Sequence, residues 1–278
     1  MTPRELIRQT AKLFRSANLP DPVNDAAQLL SFLTGLPALN LRLDDDTALE
    51  PAVLTAFQDL AGKRLNRIPL QYLLGEAYFY KRSYKVDCRV LIPRPETELL
   101  CEWALELIKE IPSPRILDLC CGSGCIGLTL KAERPDAFLT LSDLSPEALK
   151  VSAENAARLS LNVEFIQSDL LDGIFGPSYD LIVSNPPYIP SAVCDTLQPE
   201  VMLEPRLALD GGSDGFDLYR RIIASAGSVL VPGGILLMET GINEAPVLSR
   251  LLSAHGFSEV IIRKDYSGID RMICAVLS

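Results

Sequence analysis

Residues 115–127 read RILDLCCGSGCIG, an apolar run that passes directly into a glycine-rich turn. Gly122, Gly124 and Gly127 match the pattern G-x-G-x-x-G, in which small residues let the backbone approach a bound nucleoside. Asp143 follows about 20 positions later, the distance at which a carboxylate accepts the ribose hydroxyls of such a ligand. The stretch therefore predicts a strand, a turn and a helix around a nucleoside. Nicotinamide enzymes share the pattern, so it leaves the cofactor open.

From Glu96 onward, apolar strand candidates alternate with helical stretches, and this alternation predicts a Rossmann-like α/β fold with an open, mostly parallel sheet. The last two strand candidates have no helix between them, so we expect the last strand to run antiparallel. The predicted strands are Arg115–Leu119, Ala137–Ser142, Val163–Gln167, Tyr179–Ser184, Gly234–Glu239, Glu259–Arg263 and Arg271–Leu277.

The N-terminal part has a different character. Apolar residues recur at helical spacing from Thr2 to about Asn66, with Thr2 as a predicted N-cap before Pro3, which indicates a small helical bundle. Between Gln71 and Val90, aromatic and alternating residues predict a β-hairpin. The predicted domains are a helical domain at residues 1–72, a hairpin linker at 73–95 and a sheet domain at 96–278.

Acidic residues at the ends of the predicted strands indicate the cofactor. Asp118 is unfavourable beside a pyrophosphate, but it can accept hydrogen bonds from the ammonium group of a methionine moiety. Asp169 can accept from an adenine amino group, with Leu170 packing on the ring. These features predict S-adenosylmethionine, which is cationic at sulfur, has no phosphate and leaves S-adenosylhomocysteine as product. The predicted cofactor-binding residues are Asp118, Cys120, Cys121, Gly122, Ser123, Gly124, Asp143, Asp169, Leu170 and Asn185.

The tetrapeptide at residues 185–188, Asn-Pro-Pro-Tyr, directly follows the strand candidate Tyr179–Ser184. Two prolines cannot continue a sheet because neither has an N–H to donate. A stiff turn with an amide, carbonyls and an aromatic ring suits a planar, uncharged ligand with N–H donors. We predict Asn185, Pro186 and Tyr188 as catalytic and Asn185, Pro186, Pro187 and Tyr188 as substrate-binding. With no strong base required, the pH–rate profile is expected to be flat near neutrality.

Composition bears on the partners, the cellular compartment and the presence of a metal site. The chain has 278 residues, a formal net charge of −10, and no apolar stretch of the roughly 18 residues that a membrane span needs. We therefore expect no membrane partner and no direct contact with nucleic acid, which usually requires a basic surface. The N-terminus lacks a secretory signal, and seven cysteines is an odd number, which favours a reducing cytoplasm. Cys120, Cys121 and Cys125 lack metal-ligand spacing, so no metal site is predicted.

Several further motifs lie outside the glycine loop and the Asn-Pro-Pro-Tyr turn. They are residues 67–75 (RIPLQYLLG), 91–98 (LIPRPETE), 204–209 (EPRLAL) and 211–215 (GGSDG), with a tail of Asp265 followed by residues 268–271 (GIDR). Together with residues 185–188, they make the chain similar to the release factor glutamine methyltransferases (PrmC, also called HemK). The Asn-Pro-Pro-Tyr motif is shared with DNA and RNA amino-methyltransferases, whereas residues 92–98 are far more specific.

The resemblance implies a class I methyltransferase domain and a substrate, the glutamine of the Gly-Gly-Gln loop in peptide-chain release factors. It also implies that the helical domain helps to hold that protein partner. One position departs from the family pattern, because Cys120 stands where the family usually has glycine. A side chain there is expected to crowd the methionine end of the cofactor.

Three alternatives remain open from the sequence. A nucleic-acid amino-methyltransferase would flip its target base into the same pocket, with steep salt dependence of substrate binding. A catalytically silent scaffold would bind cofactor without transferring methyl groups. A nicotinamide oxidoreductase would bind the dinucleotide.

Overall fold

The computed structural model describes residues 1–174 and 178–278. Its chain divides into two compact units. The first contains Met1–Glu76 and Gln198–Leu203, and the second contains Ala77–Leu197 and Glu204–Ser278. Within the described part of the chain, no helix is both long and apolar enough to cross a membrane.

The first unit is a helical bundle around a core of leucine and phenylalanine side chains. Its helices are α1 (Pro3–Ser16), α2 (Pro22–Thr34), α3 (Ala38–Leu43), α4 (Pro51–Leu65) and α5 (Leu70–Leu74). Thr2 and Glu5 form a reciprocal capping box at the start of α1, and Gly35 ends α2 in a left-handed conformation. The predicted N-cap at Thr2 is confirmed.

A buried ionic cluster fixes residues 198–203 in the first unit. Arg64, which is only 4% exposed, donates to Asp25 Oδ2 at 2.8 Å and to Glu200 Oε1 at 3.0 Å. Arg67 adds a second ion pair to Glu200 at 3.1 Å. Removing one member of such a buried cluster would leave its partners as buried charges without a counter-charge. These ion pairs therefore hold residues 198–203 in the first unit.

The second unit is built on a seven-stranded sheet with the order β5-β4-β3-β6-β7-β9-β8. A two-stranded hairpin precedes it, with β1 (Glu76–Phe79) and β2 (Arg82–Lys85). The strands of the large sheet are β3 (Arg115–Leu119), β4 (Phe138–Asp143), β5 (Glu164–Gln167), β6 (Tyr179–Ser184), β7 (Leu230–Glu239), β8 (Phe257–Lys264) and β9 (Asp270–Leu277). All pairings are parallel except those of β9, which runs antiparallel to both of its neighbours.

Helices cover both faces of the sheet. They are α6 (Pro95–Leu107), α7 (Cys125–Glu133), α8 (Pro146–Arg158), α9 (Ser191–Cys194), α10 (Asp217–Ala226) and α11 (Ala245–Ala254). Successive strand residues point to opposite faces, so Ile116 packs with Trp103 of α6 on one side and Leu117 packs with Ile222 of α10 on the other. Burial on both faces explains why the strands read as continuous apolar runs.

The predicted fold class is confirmed, including the antiparallel last strand and the hairpin. Two local expectations were wrong. Residues 70–74 form helix α5 rather than the start of the hairpin, because Pro69 precedes this turn and Gly75 ends it with φ of +72°. The alternating residues Val86, Cys88 and Val90 do not form a strand, since the hairpin ends at Lys85.

Candidate active site

The carboxyl ends of three parallel strands meet at one edge of the sheet. Leu119 at the end of β3 pairs with Ser142 of β4 and with Ser184 of β6. The residues that directly follow these positions are Cys120, Asp143 and Asn185, which therefore lie at this edge. The strand order reverses here, because β4 and β5 lie on one side of β3 whereas β6 and β7 lie on the other. Ligands of open α/β sheets bind at such a reversal point.

Gly127 lets helix α7 approach strand β3 closely. A Cβ atom at this position would lie 2.5 Å from Leu141 Cδ2 and 2.9 Å from Asp118 Cβ. The Gly127 N–H donates to Asp118 Oδ2 at 2.8 Å. Any larger residue would separate the first turn of the helix from the strand that carries the glycine loop.

Asp118 is fully buried, and one of its carboxylate oxygens lacks a hydrogen-bond partner among residues 1–174 and 178–278. Oδ2 accepts from Gly127, whereas Oδ1 is the unpartnered atom. Burial raises the pKa of this carboxyl to about 7, and the Gly127 hydrogen bond opposes the rise. A buried acceptor of this kind requires a donor. The ammonium group of S-adenosylmethionine would supply one, so the residue fits the predicted cofactor.

Asp143 organises the loop from the end of the neighbouring strand. Its Oδ2 accepts from the Gly122 N–H and its Oδ1 from the Ser145 N–H, both at 2.9 Å. Burial raises the pKa of the carboxyl, and these backbone hydrogen bonds oppose the rise. Each carboxylate oxygen keeps a second lone pair, so Asp143 can still accept hydrogen bonds from two ribose hydroxyls.

Asp169 and Leu170 lie shortly after the carboxyl end of strand β5. Asp169 is exposed and forms an ion pair with Arg221 Nη1 at 3.0 Å. Leu170 is buried and adopts φ of +54°, an unusual conformation for a residue with a Cβ atom. The pair therefore offers a carboxylate beside an apolar surface, which suits the edge and face of a purine ring.

Most of these residues line one cavity. The predicted site residues that line it are Cys120, Gly122, Asp143, Asp169, Leu170, Asn185 and Pro187. The other wall comes from segments that the sequence did not single out as ligand contacts, namely Arg89, Val90, Leu91, Pro205, Leu207, Ala208 and Leu218. The segment after residue 188 thus contributes Pro205, Leu207 and Ala208 to the cavity wall.

The remaining predicted cofactor residues, Asp118, Cys121, Ser123 and Gly124, do not line this cavity. Cys121 donates its N–H to the Ser142 carbonyl at 3.0 Å, and the Ser123 carbonyl accepts from Asn155 Nδ2 at 2.9 Å. Gly124 caps helix α7 with φ of +77°. The structure gives these residues roles in holding the loop, and their direct contact with cofactor stays a prediction.

Cys120 borders the cavity and adopts φ of +61°. Its side chain packs against the core on the α10 face of the sheet, and burial raises the pKa of its thiol. A non-glycine residue in this left-handed region costs roughly 1–2 kcal/mol. The expectation that a side chain here crowds the cofactor stays a prediction.

The Asn-Pro-Pro-Tyr turn is packed against a second glycine turn. A Cβ atom on Gly211 would lie 2.7 Å from Tyr188 Cα and 2.8 Å from the Pro187 carbonyl oxygen. One on Gly215 would lie 2.5 Å from the Tyr188 carbonyl oxygen. Gly211 and Gly215 are therefore explained by close backbone contact with residues 187 and 188.

Two further residues contact the side chains of this turn. Asn185 Nδ2 donates to Thr97 Oγ1 at 3.5 Å, and the Tyr188 hydroxyl donates to Glu239 Oε1 at 3.4 Å. Thr97 in turn donates to Glu239 Oε2 at 2.6 Å. The sequence reasoning did not identify Thr97 or Glu239. Glu239 could have been found by the rule used for Asp118, because it also ends a buried parallel strand.

Glu204 joins two of the sequence motifs. Its buried carboxylate accepts from the Ile92 N–H at 3.0 Å and forms an ion pair with Arg94. Arg206 pairs instead with Asp195 and Asp210 inside its own segment. Glu204 and Arg206 therefore have different roles, since Glu204 contacts the 91–98 motif and Arg206 stabilises its own segment.

The sheet topology and the cavity at its reversal point define an S-adenosylmethionine-dependent methyltransferase of the class I fold. The chain is 41% identical over 272 residues to the release factor glutamine methyltransferase of Deinococcus radiodurans, covering 98% of this chain and 97% of that protein. The chain belongs to the release factor glutamine methyltransferase family.

Further comparisons agree with this assignment. The relative of the same description from Chlorobaculum tepidum is 41% identical over 279 residues, with 96% of this chain and 94% of that protein covered. Residues 97–212 match the family described as methyltransferase small domain, and residues 5–75 match the PrmC N-terminal domain.

Solved structures show the same fold at low sequence identity. A methyltransferase from Pyrococcus furiosus is 15% identical, with a TM-score of 0.52 over 70% of this chain and 88% of that chain. The hMettl16 catalytic domain, in complex with the MAT2A 3′UTR hairpin 6, is also 15% identical, with a TM-score of 0.57 over 70% of this chain and 75% of that chain. At this sequence identity, these likenesses show the fold alone.

Proposed function

We propose that this enzyme methylates the side-chain amide nitrogen of the glutamine in the Gly-Gly-Gln loop of peptide-chain release factors. The observation that carries the proposal is the placement of Asn185 and Pro187 in the wall of the same cavity as Asp143 and Gly122. An amide-binding turn and a nucleoside-binding loop thus share one cavity. The relatives that cover nearly the whole chain are named for this activity.

In this proposal, three carboxylates hold the cofactor. Asp118 Oδ1 accepts from the ammonium group, Asp143 from the ribose hydroxyls and Asp169 from the adenine amino group. When bound, S-adenosylmethionine supplies a methyl group on a positively charged sulfur. The unpartnered Oδ1 of Asp118 supports this assignment, because a buried acceptor without a donor is otherwise unfavourable.

The turn at residues 185–188 holds and activates the substrate amide. An amide nitrogen is a poor nucleophile because its lone pair is delocalised into the carbonyl group. Asn185 Oδ1 and the Pro186 carbonyl oxygen accept the two amide hydrogens, which orients the lone pair toward the methyl carbon. As the nitrogen–carbon bond forms and the carbon–sulfur bond breaks, these acceptors stabilise the growing positive charge, and Tyr188 faces it with its ring. One proton then leaves the nitrogen to solvent.

The test is a transfer assay with methyl-labelled S-adenosylmethionine. Purified enzyme would be incubated with a release factor, with the same factor carrying Gln→Ala in its Gly-Gly-Gln loop, and with duplex DNA. We expect label on the unmodified factor only. Label on DNA would move the assignment to a nucleic-acid amino-methyltransferase. Equal label on the Gln→Ala factor would place the reaction on another residue.

A further inference from the structure

The Thr97 hydroxyl lies between the buried carboxylate of Glu239 and the amide of Asn185. It is 2.6 Å from Glu239 Oε2 and 3.5 Å from Asn185 Nδ2. Thr97 is 2% exposed and Glu239 is also 2% exposed, so water does not compete for these contacts. Thr97 comes from the start of α6, Glu239 from the end of β7 and Asn185 from the end of β6.

The hydrogen-bonding capacity of a hydroxyl group decides which way the Asn185 amide faces. Thr97 has one hydrogen to donate, and a short contact to a carboxylate takes it, because charge-assisted hydrogen bonds are the stronger ones. Only its oxygen lone pairs then face Asn185. The amide must therefore present its NH2 group to Thr97, which directs Oδ1 away from Thr97 as an acceptor for the substrate.

We propose that Thr97 and Glu239 are positioning residues that fix the acceptor orientation of Asn185 and hold the Tyr188 ring. The inference rests on the proposed function, since it assigns a task to the amide acceptor of that reaction. Neither residue touches the reacting atoms in this scheme. They act by excluding the flipped amide, whose NH2 group would meet the N–H donors of the substrate.

Several charged and polar groups face Glu239. Arg271 of β9 favours its charged form, Glu96 of α6 opposes it, and hydrogen bonds from Thr97 and Tyr188 favour it. Burial is the largest influence and raises the pKa of the Glu239 carboxyl to about 7. The Tyr219 hydroxyl of α10 donates to the Glu239 backbone carbonyl at 2.8 Å, and the buried thiols of Cys101 and Cys125 also lie within the electrostatic influence of Glu239.

Protonation of Glu239 would undo the orientation of Asn185. A neutral carboxyl can donate to Thr97, and the Thr97 hydrogen is then free to turn toward Asn185 Oδ1. The charged form, which predominates above pH 7, is the one that fixes the amide. Activity at saturating substrates should therefore fall as the pH is lowered from 8 to 6, in contrast to the flat profile expected from the sequence.

The first experiment compares the wild-type, Thr97→Val and Thr97→Ser enzymes in the release-factor transfer assay. Valine keeps the shape and removes the hydroxyl, so we expect kcat to fall by roughly 10–100-fold, the range associated with misplaced reacting groups. The dissociation constant for S-adenosylmethionine should change by less than about threefold, since it is mostly set by other residues. Serine should restore kcat to within about threefold of the wild type.

Thr129→Val is the matched control. Thr129 is also a buried threonine in the second unit, and its hydroxyl has a partner at 2.8 Å, the Tyr84 hydroxyl. Its removal should leave kcat within about twofold of the wild type. Equal losses in the Thr97 and Thr129 variants, or full activity of Thr97→Val, would overturn the inference. No label with the wild-type enzyme would instead refute the proposed function and the inference with it.

The second experiment measures kcat from pH 6 to 8 for the wild type and Glu239→Gln. The wild type should lose activity in acid by up to tenfold per pH unit below its pKa, whereas the uncharged glutamine variant should show lower but pH-independent kcat. Thr97→Val should also lose the acid dependence, because it breaks the link to Asn185. A purely structural Glu239 would leave the shape of the profile unchanged in these variants, and that result would overturn the inference.

Discussion

The glycine loop after β3 and the Asn-Pro-Pro-Tyr turn after β6 lie at the same edge of one sheet, but they are held in different ways. The loop is supported from nearby, since Gly127 donates to Asp118 and Gly122 donates to Asp143. The supports of the turn lie far away in the sequence. Asn185 contacts Thr97, and Tyr188 contacts Glu239.

The difference follows from what each segment must do. A cofactor is the same in every turnover, so backbone N–H groups and strand-end carboxylates can hold it from within one βαβ stretch. A side-chain amide must be oriented at a single nitrogen, and small misplacements are costly to the rate. The position of the turn therefore depends on α6 and β7 as well as on its own strand.

Asn185→Ala tests whether the turn carries the chemistry. Loss of the amide acceptor should lower kcat by roughly 100–1000-fold, as for removal of one group that stabilises a transition state. The dissociation constant for S-adenosylmethionine should change much less, although Asn185 also lines the cavity. Single-turnover transfer and calorimetric titration measure the two quantities. A kcat within threefold of the wild type would remove Asn185 from the mechanism.

Gly211→Ala tests the backbone packing that supports the turn. The new Cβ atom would lie 2.7 Å from Tyr188 Cα and 2.8 Å from the Pro187 carbonyl oxygen, and these are backbone atoms that cannot move aside cheaply. We expect kcat to fall by roughly 10–100-fold with cofactor affinity nearly unchanged. Gly62→Ala is the control, because nothing lies within 4 Å of its Cβ position. Equal kcat values for the two variants would contradict the comparison.

Asp143→Asn tests the local support of the loop. The change keeps the shape but removes the charge and one acceptor, so S-adenosylmethionine should bind roughly tenfold more weakly. At saturating cofactor, kcat should stay within about threefold of the wild type. Titration calorimetry gives the affinity, and the transfer assay gives kcat. A loss confined to kcat would mean that the loop does not act on cofactor affinity alone, which would contradict the division of roles between loop and turn.

Cys120→Gly should have the smallest effect. Glycine adopts φ of +61° without strain, which favours the variant by about 1 kcal/mol, but the packing of the thiol against the core is lost. We expect the free energy of unfolding to change by less than about 1 kcal/mol and cofactor affinity to improve by no more than about fivefold. Chemical denaturation and cofactor titration check the two values. Weaker cofactor binding would show that the Cys120 side chain contributes to binding rather than crowding the methionine end of the cofactor.

Most of the sheet could be predicted because its strands are buried on both faces and read as apolar runs. The strand from Arg115 to Leu119 was placed at its observed bounds, and so was that from Tyr179 to Ser184. Short elements escaped this reasoning. Helix α5 spans only Leu70–Leu74, too few residues for a helical repeat to stand out, and its proline and glycine ends were the better signal.

By itself, the sequence determined the glycine loop, the strand-end aspartates and the Asn-Pro-Pro-Tyr turn, because each depends on residues close together in the chain. The tertiary structure decided what surrounds them. Only the packed sheet brings Thr97 and Glu239, 142 positions apart, to within 2.6 Å beside Asn185. A hydrogen bond between such distant residues leaves no periodic or local pattern in a single sequence, so it becomes visible only once the chain is folded.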